Sequence, residues 1–438
     1  MTTPIFDFVK KYADIGTARC HMPGHKGSGA LGCEAFDITE ISGADVLYSA
    51  EGIIAESENN LTELYGTSHS FYSTEGSTLV IKAMLALVSE RAGGERPLIL
   101  AARNVHAAFV RGAALLDLDV EWIYPTSANH LCACPVSADE VAAAIDSADR
   151  LPRAVYLTSP DYLGNILDIS AISRVCRERN IPLLVDNAHG AYLRFLPEDI
   201  HPITLGATMC ADSAHKTLPV LTGGAYLHIS PDYPEYADRA RGALSIFAST
   251  SPSYLTLCSL DLCNRELDHD YPEKIASLVK EIDKIKTDAA SVGLPICESE
   301  PLKIVIRLGD KLADHLRTLG IEPEFSDRDY TVLMLTPGND DSQLAKVRSA
   351  LLGFDMSGLG AAAESPSPTR HERAMSIREA VLSRSEILSV EQSVGRICAA
   401  PTVSCPPAVP IVISGERITS EDVAIFKHYG IYTVSVVK

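Results

Sequence analysis

LLVDNAHG, at residues 183–190, is a short apolar run that ends in a carboxylate, Asp186. An apolar run of this length is typical of a strand buried in a parallel sheet. Further along the chain, SAHK at residues 213–216 places Lys216 on a turn. Since open α/β sheets bind ligands outside the carboxyl ends of their strands, we expect Asp186 and Lys216 to share one site.

Short apolar runs alternate with helical patterns from about residue 68 to residue 230, which predicts an α/β fold with a mainly parallel sheet. The predicted strands are residues 68–74, 97–102, 120–124, 154–158 and 181–186. One helix is predicted at residues 77–91, where apolar residues recur with a helical period before two glycines. A second is predicted at residues 170–179, with Asp168 as its N-cap.

Beyond about residue 268 the pattern changes, and the sequence predicts a smaller α+β region. A long helix at residues 273–291 precedes two predicted strands, and a stretch rich in glycine, alanine, serine and proline follows at 354–369. The last segment has one helix pattern and a final β-like run. The predicted domains are an N-terminal arm (1–45), a large domain (46–268), a small α+β domain (269–353), a linker (354–370) and a C-terminal domain (371–438).

Composition argues against several classes of protein. A formal charge of -19 leaves no basic stripe to neutralise phosphates, so nucleic acid is not expected as a partner, nor is an acidic membrane surface. The N-terminal sequence has no signal-peptide pattern, and no segment reaches the ~18 apolar residues of a membrane span. Eleven scattered cysteines fit reduced thiols better than a disulfide framework. We therefore expect a cytoplasmic enzyme.

Asp186 and Lys216 together indicate the cofactor pyridoxal 5′-phosphate (PLP). A carboxylate at a buried strand end can keep a pyridinium nitrogen protonated, and a lysine on a nearby turn can form a Schiff base with an aldehyde. Taken singly, Asp186 could merely cap a turn and Lys216 could be a solvated surface lysine. The strand context, with Ser213 and His215 beside the lysine, favours the cofactor site.

A phosphate cup is predicted at residues 73–78, STEGST, between a strand and a helix. Free backbone N–H groups and the helix dipole favour an anion there. Gly76 lets the backbone approach, and Ser77 and Thr78 add hydroxyl donors. Without the lysine and the aspartate, the same residues would be only a helix cap. His106 follows the next strand and could stack on the cofactor ring, although a lone histidine is more often structural.

Three other motifs are rejected as sites. GSGALG at residues 27–32 fits a dinucleotide-binding fingerprint, but it follows a polar, proline-containing segment instead of a strand. His21 and His25 have the spacing of helical metal ligands, yet the proline and glycine between them break a helix. No metal is therefore expected. Lys26 competes with Lys216 for the Schiff base only if the sheet context is ignored.

The chain as a whole resembles the ornithine/lysine/arginine decarboxylase family of fold-type I PLP enzymes, in its short form without an N-terminal wing domain. The likeness covers nearly the whole chain. Beyond the motifs above, it includes HMPGHKG (21–27), GIIAE (52–56), STSPSY (249–254), PP (406–407) and GE (415–416). It implies decarboxylation of a basic amino acid to the corresponding amine. The sequence does not choose among arginine, lysine and ornithine.

The resemblance also implies roles for single residues around the cofactor. Lys216, His215 and His106 would be the catalytic residues, with Lys216 or His215 protonating the α-carbon. Ser213 and His215 would contact the cofactor around its phosphate and the lysine. Ala188 would pack on the ring face and His189 would lie beside it.

Further implied roles concern the subunit interface and the substrate. The family is homodimeric, with active sites at the interface, and Thr250 or Ser251 would reach the partner's cofactor phosphate. Glu416 would pair with the distal cation of the substrate, because a partly buried carboxylate favours a bound cation. The alternative for Glu416 is an exposed glutamate on a turn.

Three departures from the family pattern put the identity of the substrate in doubt and leave open whether the reaction is altered. Two alanines follow His106 where lysine and serine are common, glycines stand at 223–224 in place of bulkier polar residues, and Ala408 replaces a glycine. An aminotransferase or lyase on the same fold therefore stays an alternative, since PLP serves each of these reactions. A non-catalytic regulatory homologue is the second alternative.

Overall fold

The structure is a computed structural model that describes residues 1–90, 94–127, 130–357, 365–400, 402–405 and 409–438. Close contacts group the chain into two compact units. Unit 1 comprises residues 1–88 and 182–274, and unit 2 comprises residues 89–181 and 275–438. Each unit combines segments that are distant in sequence, whereas the five predicted domains are consecutive; those boundaries stay predictions.

Fifteen strands lie within the described residues. They are β1 (His69–Ser73), β2 (Leu98–Ala102), β3 (Asp119–Ile123), β4 (Ala154–Thr158), β5 (Leu183–Asp186), β6 (Met209–Asp212), β7 (Ala225–Ile229), β8 (Ile296–Cys297), β9 (Lys303–Ile306), β10 (Phe325–Ser326), β11 (Thr331–Met334), β12 (Ser385–Ser389), β13 (Thr402–Cys405), β14 (Val409–Ile413) and β15 (Thr433–Val437).

Fourteen α-helices lie in the same described part of the chain. They are α1 (Pro4–Asp14), α2 (Ile53–Tyr65), α3 (Gly76–Leu87), α4 (Ala107–Leu116), α5 (Ala138–Ser147), α6 (Ile169–Glu178), α7 (Ala214–Thr217), α8 (Ala237–Ser245), α9 (Tyr254–His269), α10 (Tyr271–Ser291), α11 (Asp310–Thr318), α12 (Asp341–Leu352), α13 (Ile377–Leu382) and α14 (Ser420–His428). None of them combines the length and the apolar content needed to cross a bilayer.

Seven strands form one mainly parallel sheet in the order β1-β7-β6-β5-β4-β2-β3, which confirms the predicted fold class. In unit 1, β5 and β6 are parallel, while β7 is antiparallel to both β6 and β1. In unit 2, β2 is parallel to β3 and β4. A separate antiparallel sheet of unit 2 has the order β10-β11-β9-β8. Helices flank these strands along the chain, as a βαβ pattern requires.

Most predicted elements are confirmed within a few residues. The strand at 154–158 is β4 itself, and Asp168 caps α6 by accepting a hydrogen bond from the backbone N–H of Ala171. The helix predicted at 77–91 begins at Gly76 and ends at Leu87, and residue 91 lies outside the described residues. The single helix predicted after residue 371 is wrong, because both α13 and α14 lie there. Pro406, Pro407 and Ala408 lie outside the described residues.

Candidate cofactor site

The turns that follow β5 and β6 meet at Lys216. The lysine lies on the short helix α7, directly after β6, and its Nζ donates a hydrogen bond of 3.1 Å to Nε2 of His189. His189 belongs to the turn after β5 and is buried. Because β5 and β6 are parallel neighbours, their carboxyl ends bring two predicted site residues together.

Asp186 is the last residue of β5 and is buried, with 1% of its surface exposed. Its Oδ1 accepts a hydrogen bond of 3.3 Å from the backbone N–H of Ala188, which is also buried. A carboxylate withdrawn from water in this way strongly favours a positive charge brought against it. Asp186 is therefore suited to a protonated ring nitrogen.

The predicted phosphate cup lies at the start of α3. The helix begins at Gly76, and no side chain caps its first turn. Ser213, just before α7, donates a hydrogen bond of 2.7 Å from Oγ to Oγ of Ser77. This bond joins the cup to the segment that carries Lys216, while the uncapped N–H groups and the helix dipole remain suited to an anion.

Two glycines allow the backbone to close around the cup. The backbone N–H of Gly76 donates to the carbonyl oxygen of Gly223 at 2.7 Å. Both residues have a positive φ, +72° at Gly76 and +100° at Gly223. A Cβ on Gly223 would lie 2.8 Å from the carbonyl oxygen of Thr74, closer than real Cβ atoms come. Gly223, one of the two glycines that depart from the family pattern, is thus required by the close packing of the cup.

The donor set of unit 1 fits PLP. Hydroxyl groups of Ser77 and Ser213 lie at an uncapped helix start, Lys216 lies on the short helix α7, and the buried carboxylate of Asp186 ends the neighbouring strand β5. These three features match the phosphate, the aldehyde and the ring nitrogen of the cofactor. Thr78, the next residue of α3, is half-buried, and its place in the cup stays a prediction.

His215 is half-buried next to Lys216. Its Nδ1 donates a hydrogen bond of 2.8 Å to the carbonyl oxygen of Gly224, which leaves Nε2 for another partner. Burial lowers the pKa of His215 below its ordinary value of 6.5, and the positive charge of Lys216 lowers it further, against the effect of the Gly224 bond. His215 is therefore neutral at neutral pH.

The loop with the predicted interface residues is tied to the cup of its own chain. Oε1 of Glu75 accepts a hydrogen bond of 2.7 Å from the backbone N–H of Ser249. Thr250 and Ser251, which follow, are exposed. Their contact with a partner's cofactor stays a prediction. Sequence reasoning missed the role of Glu75, because a glutamate before a glycine has no special spacing signal.

Two predicted site residues, His106 and Glu416, lie in unit 2. His106 is the N-cap of α4, and its Nδ1 accepts a hydrogen bond of 3.1 Å from the backbone N–H of Ala108. Glu416 is buried, not exposed on a turn, and its Oε2 lies 3.1 Å from Nη2 of Arg103. Because this carboxylate already pairs with Arg103, a substrate cation would have to share it.

Arg103 connects Glu416 to the turn that carries His106. The guanidinium is buried and also donates to the carbonyl oxygens of Pro410 and Ile411, at 3.1 and 3.0 Å. A cavity of about 260 Å³ lies against Glu416 and is lined on its other sides by Trp122, Tyr124, Arg370 and His371. Arg370 stands over the ring of Tyr124, 4.9 Å from its centroid. The partner of Glu416 was missed, because the sequence does not show which distant residues meet.

The rejected motifs lie in turns, as expected. Residues 27–32 do not connect a strand to a helix, so the dinucleotide context is absent there. His21 and His25 lie on no helix; Nε2 of His25 is 3.1 Å from Oδ2 of Asp37, and Nε2 of His21 is 2.7 Å from the hydroxyl of Tyr12.

The chain is similar in sequence to known proteins. The Orn/Lys/Arg decarboxylase major domain matches residues 3–307, and the C-terminal domain of the same family matches residues 361–433. The uncharacterized protein YaaO of Bacillus subtilis (strain 168) is 28% identical, over 97% of this chain and 93% of that protein. An arginine decarboxylase of the same organism is 27% identical, again over 97% of this chain and 93% of that protein.

Solved structures show the same fold. The lysine decarboxylase LdcF of Francisella novicida has a TM-score of 0.82 at 16% identity, covering 100% of this chain and 81% of that chain. The constitutive lysine decarboxylase of E. coli has a TM-score of 0.77 at 18% identity, covering 100% of this chain and 82% of that chain. At these identities the structures show the fold alone. The match of the major domain to residues 3–307, more than half of the sequence, confirms the resemblance, and the chain belongs to the Orn/Lys/Arg decarboxylase family.

Proposed function

We propose that the chain decarboxylates a basic amino acid with the help of PLP, releasing carbon dioxide and the corresponding amine. The main support for this proposal is the hydrogen bond of 3.1 Å between Nζ of Lys216 and Nε2 of His189, because it places the lysine beside the turn that follows Asp186. The hydrogen bond between Ser213 and Ser77 adds the phosphate cup to the same group of residues. Family membership supports the reaction type.

The site residues of unit 1 divide the binding of the cofactor among them in this proposal. Bound PLP supplies an electron sink for breaking a bond at the α-carbon of an amino acid. Asp186 holds the ring nitrogen protonated, since its carboxylate is buried where a cation is strongly favoured. Ser77, Thr78 and Ser213 hold the phosphate, and Lys216 holds the aldehyde end. Ala188 would pack on the face of the cofactor ring.

The proton that replaces carbon dioxide comes from Lys216 or His215. Nζ of Lys216 can exchange a proton with Nε2 of His189, to which it is hydrogen bonded. His215 has only Nε2 available, because Nδ1 is bonded to Gly224. Its pKa, lowered by burial, makes neutral His215 a better base than acid at neutral pH. Lys216 is therefore the stronger candidate for the acid.

The substrate is a basic amino acid in this proposal, with arginine tested first. Four relatives that align with 96 or 97% of the chain are named arginine decarboxylase, whereas three of the similar solved structures are named lysine decarboxylase. Glu416 would pair with the distal cation while sharing its charge with Arg103. His106 would stack on the cofactor ring. We also infer a cytoplasmic homodimer in which Thr250 or Ser251 reaches the partner's cofactor phosphate.

The direct test supplies PLP-loaded protein with arginine, lysine and ornithine separately and measures carbon dioxide and amine. One substrate should give both products in equal amounts. An amine group transferred to a keto acid without carbon dioxide would indicate an aminotransferase instead, and a broken side-chain bond would indicate a lyase. Protein that binds no PLP would favour the regulatory alternative.

Two lysine variants locate the chemistry. Lys216→Ala should lose the visible absorption of the bound cofactor and all decarboxylation. Lys26→Ala should keep both, because Lys26 bonds the backbone oxygen of His21, in the N-terminal segment. Borohydride reduction followed by mass spectrometry should then place the cofactor on the peptide that contains Lys216. Retained absorption in Lys216→Ala would overturn the assignment.

A further inference from the structure

A chain of buried polar groups runs across the strands of unit 1. Oδ1 of Asp212 accepts a hydrogen bond of 2.8 Å from Nδ2 of Asn187. Oδ2 of Asp212 lies 3.0 Å from Nε2 of His201 and 3.4 Å from Nε2 of His228. On the far side of His228, Nδ1 lies 2.8 Å from the hydroxyl of Ser70. The chain Ser70–His228–Asp212–Asn187 thus crosses from β1 through β7 and β6 to the end of β5.

The side chains of this network are almost completely shielded from water. Ser70, Asn187, His201, Asp212 and His228 each round to 0% exposed. Burial alone would raise the pKa of Asp212, but His201 and His228 more than offset it and hold that pKa far below its ordinary value. Asp212 is therefore ionised, and breaking its bonds would leave an uncompensated charge in the protein interior.

The network lies behind the site instead of lining it. In the sheet register Asp186 pairs with Ala211, so the side chain of Asp212, the next residue, points to the opposite face. Three of the segments that it joins carry a part of the proposed cofactor site. The cup follows β1, Lys216 follows β6, and Asn187 is the residue directly after Asp186.

The same atoms are arranged for hydrogen bonds, although His201, Cys210 and Asp212 are close enough to bind a metal ion. Nδ1 of His201 accepts a bond of 3.3 Å from the backbone N–H of Ile203, so Nε2 carries the proton that faces Asp212. Burial raises the pKa of Cys210 well above its ordinary value, which keeps its thiol protonated. A metal ion would have to displace both the imidazole proton and the thiol proton before these groups could ligate it.

We propose that Asp212 is a positioning residue that, through Asn187 and through His228 with Ser70, fixes the phosphate cup, Lys216 and Asp186 relative to one another. This inference rests on the proposed function, because it concerns how the two ends of PLP are held at once. A ligand that is bound at two positions binds more tightly than either of its parts only when the two binding positions have the right separation. Asp212 sets that separation without touching the cofactor.

The test compares the binding of PLP with that of two probes. Pyridoxal occupies only the ring and aldehyde part of the site, and inorganic phosphate occupies only the cup. In Asp212→Asn the Kd of PLP should rise about tenfold or more, the range of ordinary coupling between sites, while the Kd of pyridoxal and the Kd of phosphate stay at their wild-type values. Ser70→Ala, at the β1 end of the buried network, should also raise the Kd of PLP, by a smaller factor. Ser245→Ala, an exposed serine of α8 in the same unit, is the matched control.

Several outcomes would overturn the proposal. An unchanged Kd of PLP in both variants does so, as does a parallel weakening of all three ligands, which indicates general damage. Zinc bound stoichiometrically to purified wild-type protein would replace the hydrogen bonds of Asp212 and overturn it too. Thermal unfolding without cofactor shows whether Asp212→Asn folds; if it does not, Ser70→Ala carries the test. Wild-type protein that binds no PLP overturns the proposed function as well.

Discussion

Nε2 of His189 lies 3.1 Å from Nζ of Lys216, so a buried histidine on one turn receives a hydrogen bond from the lysine on the next. The contact orients the lysine toward the turn that Asp186 begins. It also gives Nζ a place to deliver or recover a proton. A lysine held in this way is directed at one position instead of moving freely in solvent.

Removing the acceptor from His189 should slow the reaction. His189→Phe keeps a ring beside the cofactor but has no nitrogen, so we expect kcat to fall by about tenfold or more. Loss of a general acid or base itself typically lowers the rate by about a hundredfold to ten-thousandfold. His189→Gln, which can still accept a hydrogen bond, should keep more of the rate. Steady-state kinetics of both variants check this. A wild-type kcat in His189→Phe would show that the contact with Lys216 does not matter.

The elements that sequence reasoning predicted well depend on local signals. β4 is a run of five residues, Ala154–Thr158, with turn residues after it, and α6 starts at a capping aspartate. Their neighbours in sequence are enough to define them. The antiparallel pairing of β1 with β7 was not predicted, because it depends on contact between segments far apart in the chain.

The same distinction holds for the site. Asp186 and Gly76 were found because they stand at the end of a strand and the start of a helix, and Lys216 was found from its place thirty residues after Asp186 beside a serine and a histidine. Glu416 was assigned to the substrate, but its partner Arg103 is 313 residues away in sequence. Asp212 was missed for a similar reason. Its importance comes from His201 and His228, and no spacing rule connects these residues.

Gly223→Ala should disturb the cup specifically. The new Cβ would lie 2.8 Å from the carbonyl oxygen of Thr74, so the backbone would have to shift to relieve the clash. An alanine at φ +100° is also strained. We expect a loss of about 1–3 kcal/mol of stability and weaker PLP binding, because the bond from Gly76 to Gly223 is disrupted. Thermal unfolding and PLP titration measure both effects.

Gly242→Ala is the control for that experiment. Gly242 lies inside α8, and, apart from the backbone of its own helix and its chain neighbours, no described atom lies within 4 Å of the position that its Cβ would take. Alanine is the better helix former, so this variant should be as stable as the wild type or slightly more stable. Equal effects of the two substitutions would contradict the proposed role of the close approach at Gly223.

His215 should make stability depend on pH. Burial lowers its pKa in the folded protein below the ordinary 6.5, so the unfolded chain binds a proton more readily than the folded one. Its contribution to folding is therefore present above pH 6.5 and is lost as the pH falls through the lowered pKa. The midpoint of thermal unfolding should fall less between pH 7.5 and pH 5.5 in His215→Gln than in wild type. Equal falls would contradict the burial of a neutral histidine.

The buried pair of Arg103 and Glu416 should be costly to break on one side. Glu416→Ala leaves the buried guanidinium without its carboxylate, which should cost about 3 kcal/mol or more of stability. Arg103→Met with Glu416→Leu removes both charges and should recover part of the loss, as neutral replacements of buried pairs do. Urea unfolding provides the measurement. Glu322→Ala removes one of the two carboxylates that pair with exposed Arg317, the other being that of Asp314, and should leave the transition unchanged, since exposed pairs contribute little. If Glu416→Ala behaves like Glu322→Ala, the ion pair does not anchor the turn of His106.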